Sequence, residues 1–186
     1  RVRRTELVWA LITVAGVIVI GTLEGILLAV VISVLSLIYQ ANRPPVYPVA
    51  YNREQRLFRR VGENEADETF PGLLILRTEG RLTFANADNA GDKMRALVDQ
   101  TKPRVIVLEC SGISDIEYTA LVMLAAAEQR RRERGVTLWL AGVNPDLRPV
   151  LARSPPAVAA DPSRLLANLH KVLEAWELMP APEIRS

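Results

Sequence analysis

A long apolar stretch near the start of the chain limits what this sequence can fold into. From Leu7 to Tyr39 only Glu24 carries an ionised side chain, and arginines lie on both sides, at positions 1, 3 and 4 and at Arg43. A stretch this long and apolar is typical of a segment embedded in lipid. It exceeds the apolar core of a secretory signal peptide, which is about 7–15 residues long. We therefore expect an integral membrane protein.

The length of the stretch predicts two crossings. Roughly 33 residues in one helix would extend about 50 Å, whereas the hydrocarbon core is about 30 Å thick. Gly21 and Gly25 flank Glu24 at the midpoint, and glycine readily adopts turn conformations. We predict a transmembrane helical hairpin over residues 1–42, with helices at about 5–21 and 24–40 joined by a glycine-rich turn. Apolar halves of roughly 15 residues are short for isolated spans and favour packing among other helices.

The charges predict how the hairpin is oriented in the lipid bilayer. Arginines flank its two outer ends and none flanks the central turn, so the positive-inside rule places both ends in the cytoplasm. Glu24 would be costly at the bilayer centre, which leaves two interpretations open: a solvated turn residue, or a residue near an ion path. Because the sequence begins with Arg1 rather than Met, we expect it to be a piece of a longer protein.

The remaining residues have the composition of one soluble domain without catalytic equipment. About 140 residues suffice for a single hydrophobic core. The net charge of +2 argues against nucleic acid as a partner, and the basic clusters at residues 53–60 and 130–134 indicate a solvated surface near anionic lipids. His170 and Cys110 are the only residues of their types. We therefore expect no metal site, no cofactor and no enzymatic activity.

Periodicity after residue 42 predicts alternating strands and helices. Residues 43–70 form a proline-bearing linker with an edge strand at 46–51, and the apolar runs 72–77 and 82–84 form a hairpin. Helices are expected at 86–101, 118–134, 145–152 and 162–178, and further strands at 104–109 and 136–140. Asn86 or Asn89 would cap the first helix, and Asn144 the third. Such an order gives an α/β domain, with a mixed sheet covered by helices.

Two motifs within that order resemble a known domain. Residues 82–87 (LTFANA) resemble the strand-to-helix junction "yFaNa" of sulfate-permease-type transporters. Residues 105–121 (VIVLECSGISDIEYTAL) are similar to "vvlDxsxVxxiDxTAl" of the STAS domain, which is named for sulfate transporters and anti-sigma factor antagonists. Two short membrane helices, a proline-bearing linker and this domain resemble the C-terminal part of a sulfate permease (SulP) family anion transporter.

The resemblance implies a domain organisation and a function. Residues 1–42 would be the last two transmembrane helices, 71–180 a cytoplasmic STAS domain and 181–186 a tail. Members of the family move inorganic anions such as sulfate, bicarbonate or chloride, some carry dicarboxylates, and they form homodimers. The anion site would then lie outside this segment. The STAS domain would be regulatory or dimer-stabilising, with a cytoplasmic regulatory protein as a further partner and the bacterial inner (plasma) membrane as the location.

The sequence departs from the family pattern at the signature loop within the second motif. Glu117 replaces the usual Asp, Tyr118 follows where Ser is common, and Thr119 occupies the position of the phosphorylated residue in the antagonist proteins. Phosphate there would add about −1.5 to −2 charge at a helix N-terminus. We treat Glu117, Tyr118 and Thr119 as a candidate phospho-switch loop, and the alternative is that Thr119 only caps or packs the helix.

Two other functions remain open at this stage. One is a membrane-tethered STAS regulatory or binding module without transport activity, which the short predicted spans disfavour because an isolated hairpin uses about 20 residues per helix. The other is nucleotide binding at residues 111–118, where backbone N–H groups at the following helix N-terminus would meet phosphate. No glycine-rich loop or lysine supports that second possibility.

Overall fold

The computed structural model describes residues 21–152 and 161–179, together with Val8, Leu11, Ile12 and Val14. The chain divides into two compact units, Arg1–Arg43 and Pro44–Ser186. The predicted first span at residues 5–21 lies outside the described residues, apart from Gly21 and the four isolated positions.

In the first unit, residues Thr22–Ala41 form the helix α1, and the four isolated described positions before Gly21 are also helical. Residues 23–41 have a mean hydropathy of 2.0, and 20 residues extend about 30 Å, the thickness of the hydrocarbon core. By length and composition it is suited to cross a membrane, and the two-helix hairpin remains a prediction. The helix begins two residues before the predicted second span at about 24–40. Thr22 and Leu23, expected in the turn, belong to its first turn, and Gly21 precedes it with a φ of 121°.

The length of α1 corrects one argument made from the sequence. The prediction of spans of roughly 15 residues counted Glu24 and its neighbours as a break. Glu24 instead lies in the first helical turn, where the helix dipole favours an acidic side chain. A 20-residue helix is long enough to span a bilayer alone, so span length no longer separates a transporter from a tethered module.

The second unit is built on a six-stranded mixed sheet. Its strands are β1 (Val46–Asn52), β2 (Leu57–Arg60), β3 (Leu73–Thr78), β5 (Val105–Glu109), β7 (Thr137–Ala141) and β8 (Leu165–Leu166). Their order in the sheet is β2-β1-β3-β5-β7-β8; β3, β5, β7 and β8 are parallel, and β1 runs antiparallel to both neighbours. Two short strands, β4 (Gly80–Leu82) and β6 (Ile113–Ile116), pair in parallel as a separate sheet.

Helices cover both faces of the six-stranded sheet. They are α2 (Phe84–Thr101), α3 (Tyr118–Arg132), α4 (Leu147–Ala152) and α5 (Leu169–Glu177), with a 3₁₀ turn at Pro162–Arg164. Side chains alternate between the faces, so Ile106 and Leu108 of β5 join one core while Val105 and Val107 join the other. The predicted α/β architecture, with a mixed sheet covered by helices, is therefore confirmed.

The structure overturns three strand assignments. The predicted hairpin is wrong: β3 pairs with β1 and β5, whereas β4 pairs with β6. The predicted edge strand β1 is interior, since the unpredicted β2 pairs with its second half and takes the edge. The segment 162–178 is not one helix, because Leu165 and Leu166 pair with β7 before α5 begins.

The helix boundaries differ from prediction by a few residues. The first predicted helix begins at Phe84 with Thr83 as its N-cap, so neither Asn86 nor Asn89 occupies the cap position. The third begins at Leu147, and Asn144 Oδ1 accepts a hydrogen bond from the Leu147 N–H as expected of a cap.

Candidate functional site

The candidate site lies where α2 and α3 begin. Each helix follows a strand of the small β4–β6 sheet, in which Leu82 pairs with Ile116. The Glu117 N–H extends this pairing by donating to Leu82 O at 2.9 Å. Because the paired strands run in parallel, the two helices start side by side and run in the same direction. At their far ends Arg131 Nη1 contacts Asp99 Oδ1 at 3.1 Å.

The Glu117 carboxylate joins the two helix starts. Glu117 is the extended N-cap residue of α3, but its side chain does not cap its own helix. Its Oε2 instead accepts a hydrogen bond from the Phe84 N–H, the first of α2, at 3.1 Å. Its Oε1 lies 3.5 Å from Arg81 Nη2, and Arg81 Nε also pairs with Asp115 at 2.9 Å. The carboxylate therefore occupies the position where the α2 dipole attracts an anion.

Tyr118 and Thr119 face solvent in the first turn of α3. Tyr118 is 65% exposed and Phe84 is 69% exposed, and each has a large apolar side chain. The two residues begin adjacent helices. Thr119 is also exposed, so its hydroxyl is accessible to a modifying enzyme. The structure thus brings the three predicted switch residues together at one exposed edge of the domain, beside an aromatic residue that the sequence analysis did not assign to the site.

A buried asparagine that sequence reasoning misassigned holds the start of α2. Asn86 Oδ1 accepts a hydrogen bond from the Thr83 N–H at 2.9 Å, and Asn86 Nδ2 donates to Arg81 O at the same distance. Asn86 therefore ties the helix start to β4, in the manner of the N3 residue of a capping box. The spacing of Thr83 and Asn86, three residues apart before an amphipathic run, was the available signal.

A buried ion pair beneath the loop was also missed. Glu109 ends β5 and is 3% exposed, and its Oε2 lies 2.7 Å from Arg77 Nε on the adjacent β3. Its Oε1 accepts from the Ser111 N–H at 3.0 Å, which fixes the start of the loop. A single charged residue ending an otherwise apolar strand was the signal, since such a residue needs a partner when buried.

The remaining candidates lie away from this edge. Cys110 is buried, and burial raises the pKa of its thiol to about 12, so it has the properties of a small apolar side chain rather than a nucleophile. His170 is exposed on α5 with its ring edge-on to Tyr51 and Phe58. Glu24 belongs to the first unit, where it lies exposed at the start of α1. Within the described ranges, no cluster of three or more His, Cys, Asp or Glu is placed to hold a metal ion.

Comparison with known proteins assigns the domain. Residues 66–155 match the STAS domain family. A probable sulfate transporter of Mycobacterium tuberculosis (strain H37Rv) is 30% identical over 150 residues, which cover 80% of this chain and 27% of that protein. The chain thus spans about a quarter of the length of the curated relatives it matches.

Solved structures show the same fold at low sequence identity. Murine solute carrier 26 family member A9, an anion transporter, aligns with a TM-score of 0.73 and 16% identity over 95% of this chain and 29% of its own. The STAS domain of a SulP transporter from Vibrio cholerae aligns with a TM-score of 0.50 and 16% identity over 62% of this chain and 91% of its own. On this evidence the chain belongs to the sulfate permease family, as a segment that carries the STAS domain.

Proposed function

We propose that this chain is the C-terminal segment of a secondary active inorganic anion transporter of the sulfate and bicarbonate class. The observation that carries the proposal is the combination of an apolar helix able to span the bilayer with a STAS domain, in a chain similar to a probable sulfate transporter. Transport would proceed by alternating access, with one helical bundle moving against another around a central site. The anion site would lie in helices outside this segment.

The proposal includes the arrangement of the parts. Residues 1–42 would cross the bacterial inner membrane twice, with both ends in the cytoplasm, and the STAS domain would lie on the cytoplasmic side. The arginines outside the predicted hairpin support this orientation. The domain would be regulatory or would stabilise a homodimer.

Radiolabelled uptake by the full-length protein tests the proposal. Cells lacking their own sulfate uptake would express the full-length protein or an otherwise identical protein without residues 66–155, with equal membrane levels checked by immunoblotting. We expect saturable uptake of sulfate, bicarbonate or chloride by the full-length protein and a changed rate after deletion. Full-length protein at normal membrane level that transports none of these anions would contradict the proposal.

A regulatory role for the loop Glu117–Tyr118–Thr119 is part of this proposal. Phosphate on Thr119 would lie two residues from the Glu117 carboxylate, whose contact with the Phe84 N–H joins the two helix starts. Repulsion between the two anions would favour release of Glu117 from α2. Phosphorylation of the loop by a kinase would then change the position of α2 relative to α3.

Mass spectrometry and matched variants test this role. Protein from native cells should carry phosphate on Thr119, and Thr119→Glu should change the uptake rate where Thr119→Ala does not. Ser114→Glu is the matched control, because Ser114 is exposed on the preceding strand β6, outside the helix. No phosphate on native protein, together with equal uptake by all variants, would leave Thr119 as a residue of the helix start only.

A membrane-tethered binding module without transport activity is the second candidate. The exposed Phe84 and Tyr118 favour it, since adjacent exposed aromatic residues are typical of protein interaction surfaces. It predicts that a cytoplasmic protein co-purifies with the chain, that Tyr118→Ala abolishes this association, and that the full-length protein carries no flux. The uptake assay separates the two candidates.

Glu24 is proposed as a residue near the ion path of the transporter. It is the only ionised residue between Leu7 and Tyr39, and it lies at the start of α1. Glu24→Gln preserves size and removes charge, so we expect reduced uptake at an unchanged membrane level. Unaltered uptake would assign Glu24 to the helix start, where it only complements the dipole.

A further inference from the structure

A cavity of about 400 Å³ lies between α2 and α3 above the sheet. Small residues on both helices create it, because alanine and glycine do not fill the space between the helix axes. A Cβ added at Gly91 would meet no atom within 4 Å. The helix residues that line this cavity, which we call the slot, include Ala87, Ala90 and Gly91 of α2 and Ala120, Ala126 and Ala127 of α3; the sheet contributes Leu76, Ile106, Leu108 and Leu138.

The size of the slot falls within the range of ligand sites, which measure about 300–1,000 Å³. The contacts that join α2 to α3, Glu117 with Phe84 and Arg131 with Asp99, lie at the two ends of the helix pair. Between these two contacts the slot is lined by residues of both helices.

Charge is concentrated at one end of the slot. Arg130, Arg131 and Arg134 line it near the C-terminus of α3. An adjoining cavity of about 430 Å³ shares Arg131 and Arg134 and adds Lys102. Arg131 pairs with Asp99, but Arg130, Arg134 and Lys102 have no acidic partner in the part of the chain that the structure describes. This end is therefore suited to receive an anion.

The acidic residues of the lining do not cancel this charge. Glu128 is buried and pairs with Arg164 at 3.3 Å, and Asp92 holds the lining residue Arg95 at 3.1 Å. The remaining lining carboxylate is Asp88, in the first half of α2 and therefore toward the opposite end of the slot. The slot therefore has apolar walls and one cationic end.

The lining of the slot favours an acyl chain as the occupant. Leucine, isoleucine and alanine side chains form its walls along the two helices and the sheet, and a single alkyl chain presents a matching apolar surface. A carboxylate at the end of that chain matches Arg130 and Arg134.

We propose that the slot binds a long-chain fatty acid. The acyl chain lies between α2 and α3 over Ile106 and Leu138, and the carboxylate is held by Arg130 and Arg134. The inference is independent of transport, because it rests on the domain's own cavity. Occupancy would fill the space between the two helices whose starts carry the candidate switch loop.

Photolabelling of the full chain in lipid nanodiscs tests the proposal at residue resolution. A C16 fatty acid with a diazirine in its tail would be irradiated with the protein, and labelled peptides would be mapped by mass spectrometry. We expect saturable labels on peptides from α2 and α3 that excess palmitate displaces and hexadecanol, which lacks the carboxylate, does not. Labels on residues 22–41 report bilayer-dissolved probe and serve as the internal reference.

Three variants give the matched comparison. Gly91→Leu fills the slot and should reduce slot labelling about tenfold, while its better helix propensity keeps the fold intact. Arg130→Ala with Arg134→Ala should reduce labelling about tenfold, as expected for loss of charge-assisted contacts. Arg132→Ala removes a neighbouring arginine outside the slot lining and should leave labelling within about twofold.

Several outcomes would overturn the proposal. Labels confined to residues 22–41, equal displacement by hexadecanol and palmitate, or slot labelling unchanged in Gly91→Leu would each do so. If Gly91→Leu lowers the unfolding temperature, Ala127→Leu, on the facing helix, replaces it as the filling variant. Slot labelling that persists at full level in both filling variants then counts against the proposal.

Discussion

The same strands supply both faces of the six-stranded sheet, but a closed core covers one face and a cavity remains under the helices that cover the other. On one face Val107, Trp139 and Val172 meet in a closed core with α5, supported by aromatic side chains from β1 and β2. On the other face Ile106 and Leu138 lie beneath two alanine-rich parallel helices with a cavity of about 400 Å³ between them. Alternation along each strand supplies both faces, so the difference comes from the covering helices.

This difference predicts which face contributes mainly to stability and which contributes to binding or regulation. The closed face has bulky side chains at positions where the helix approaches the sheet, and such packing contributes most to the free energy of unfolding. The open face carries the exposed Tyr118 and Thr119 at one end and the exposed Arg130 and Arg134 at the other. Substitutions on the closed face should therefore change stability, and those on the open face should change binding or regulation.

The largest expected effect compares two neighbours on β7. Trp139→Ala on the closed face should lower the free energy of unfolding by about 3–5 kcal/mol, because the surrounding core cannot collapse into the space. Leu138→Ala on the slot face should cost only about 2 kcal/mol, since part of its surroundings is already open. Urea unfolding followed by circular dichroism measures both. Equal losses would mean that the two faces are packed alike.

The buried ion pair at the sheet edge gives the next effect. Glu109→Gln should cost about 2 kcal/mol, less than the 3–5 kcal/mol of a fully buried pair because the Arg77 side chain is 26% exposed. Adding Arg77→Met should recover part of the loss, which a double-mutant cycle in urea measures. Glu68→Gln breaks the exposed pair with Arg53 as the control and should leave the free energy of unfolding nearly unchanged. Similar losses at both pairs would contradict the role of burial.

Cys110, in the core beneath the open face, gives a pH-dependent prediction. Burial raises the pKa of its thiol from 9.0 to about 12 in the folded chain, while the unfolded chain releases the proton near pH 9. Its contribution to stability is therefore complete below pH 9 and falls by about 1.4 kcal/mol per pH unit above it, until about pH 12. The difference in unfolding free energy between wild type and Cys110→Ala should narrow accordingly. A constant difference between pH 8 and pH 11 would show that the thiol is accessible to solvent.

The smallest effect is expected at the start of α3, where exposure weakens electrostatic contacts. Glu117→Gln keeps an acceptor for the Phe84 N–H but removes the charge near the α2 dipole, so it should cost about 0.5–1 kcal/mol. Hydrogen exchange of the Phe84 amide should accelerate by the factor that corresponds to this loss of free energy. The exchange rate of the Leu121 amide serves as the reference. A loss above about 2 kcal/mol would make Glu117 a structural residue rather than part of a movable loop.

Local patterns predicted the elements well and their partners poorly. The β-branched run before Glu109 and the apolar run around Trp139 were recognised as strands, and the helix start after Glu117 was placed within a residue. The hairpin between β3 and β4 was wrong, because a short loop with a glycine predicts a turn but not which strand each arm joins. Gly80 donates to Gly112 O, 32 residues away, and this contact directs β4 to β6. The predicted switch residues did come together, since they are consecutive in the sequence.

The sequence by itself determined the apolar helix, the α/β class and the motif that identifies the STAS domain. Each depends on composition or spacing within about twenty residues, where propensity and burial pattern act directly. Only the tertiary structure decided that Glu117 bonds to the start of α2, that Glu109 pairs with Arg77, and that a slot with a cationic end separates α2 from α3. Those features depend on distances between residues far apart in the chain, which the strand order and the sizes of facing side chains set together.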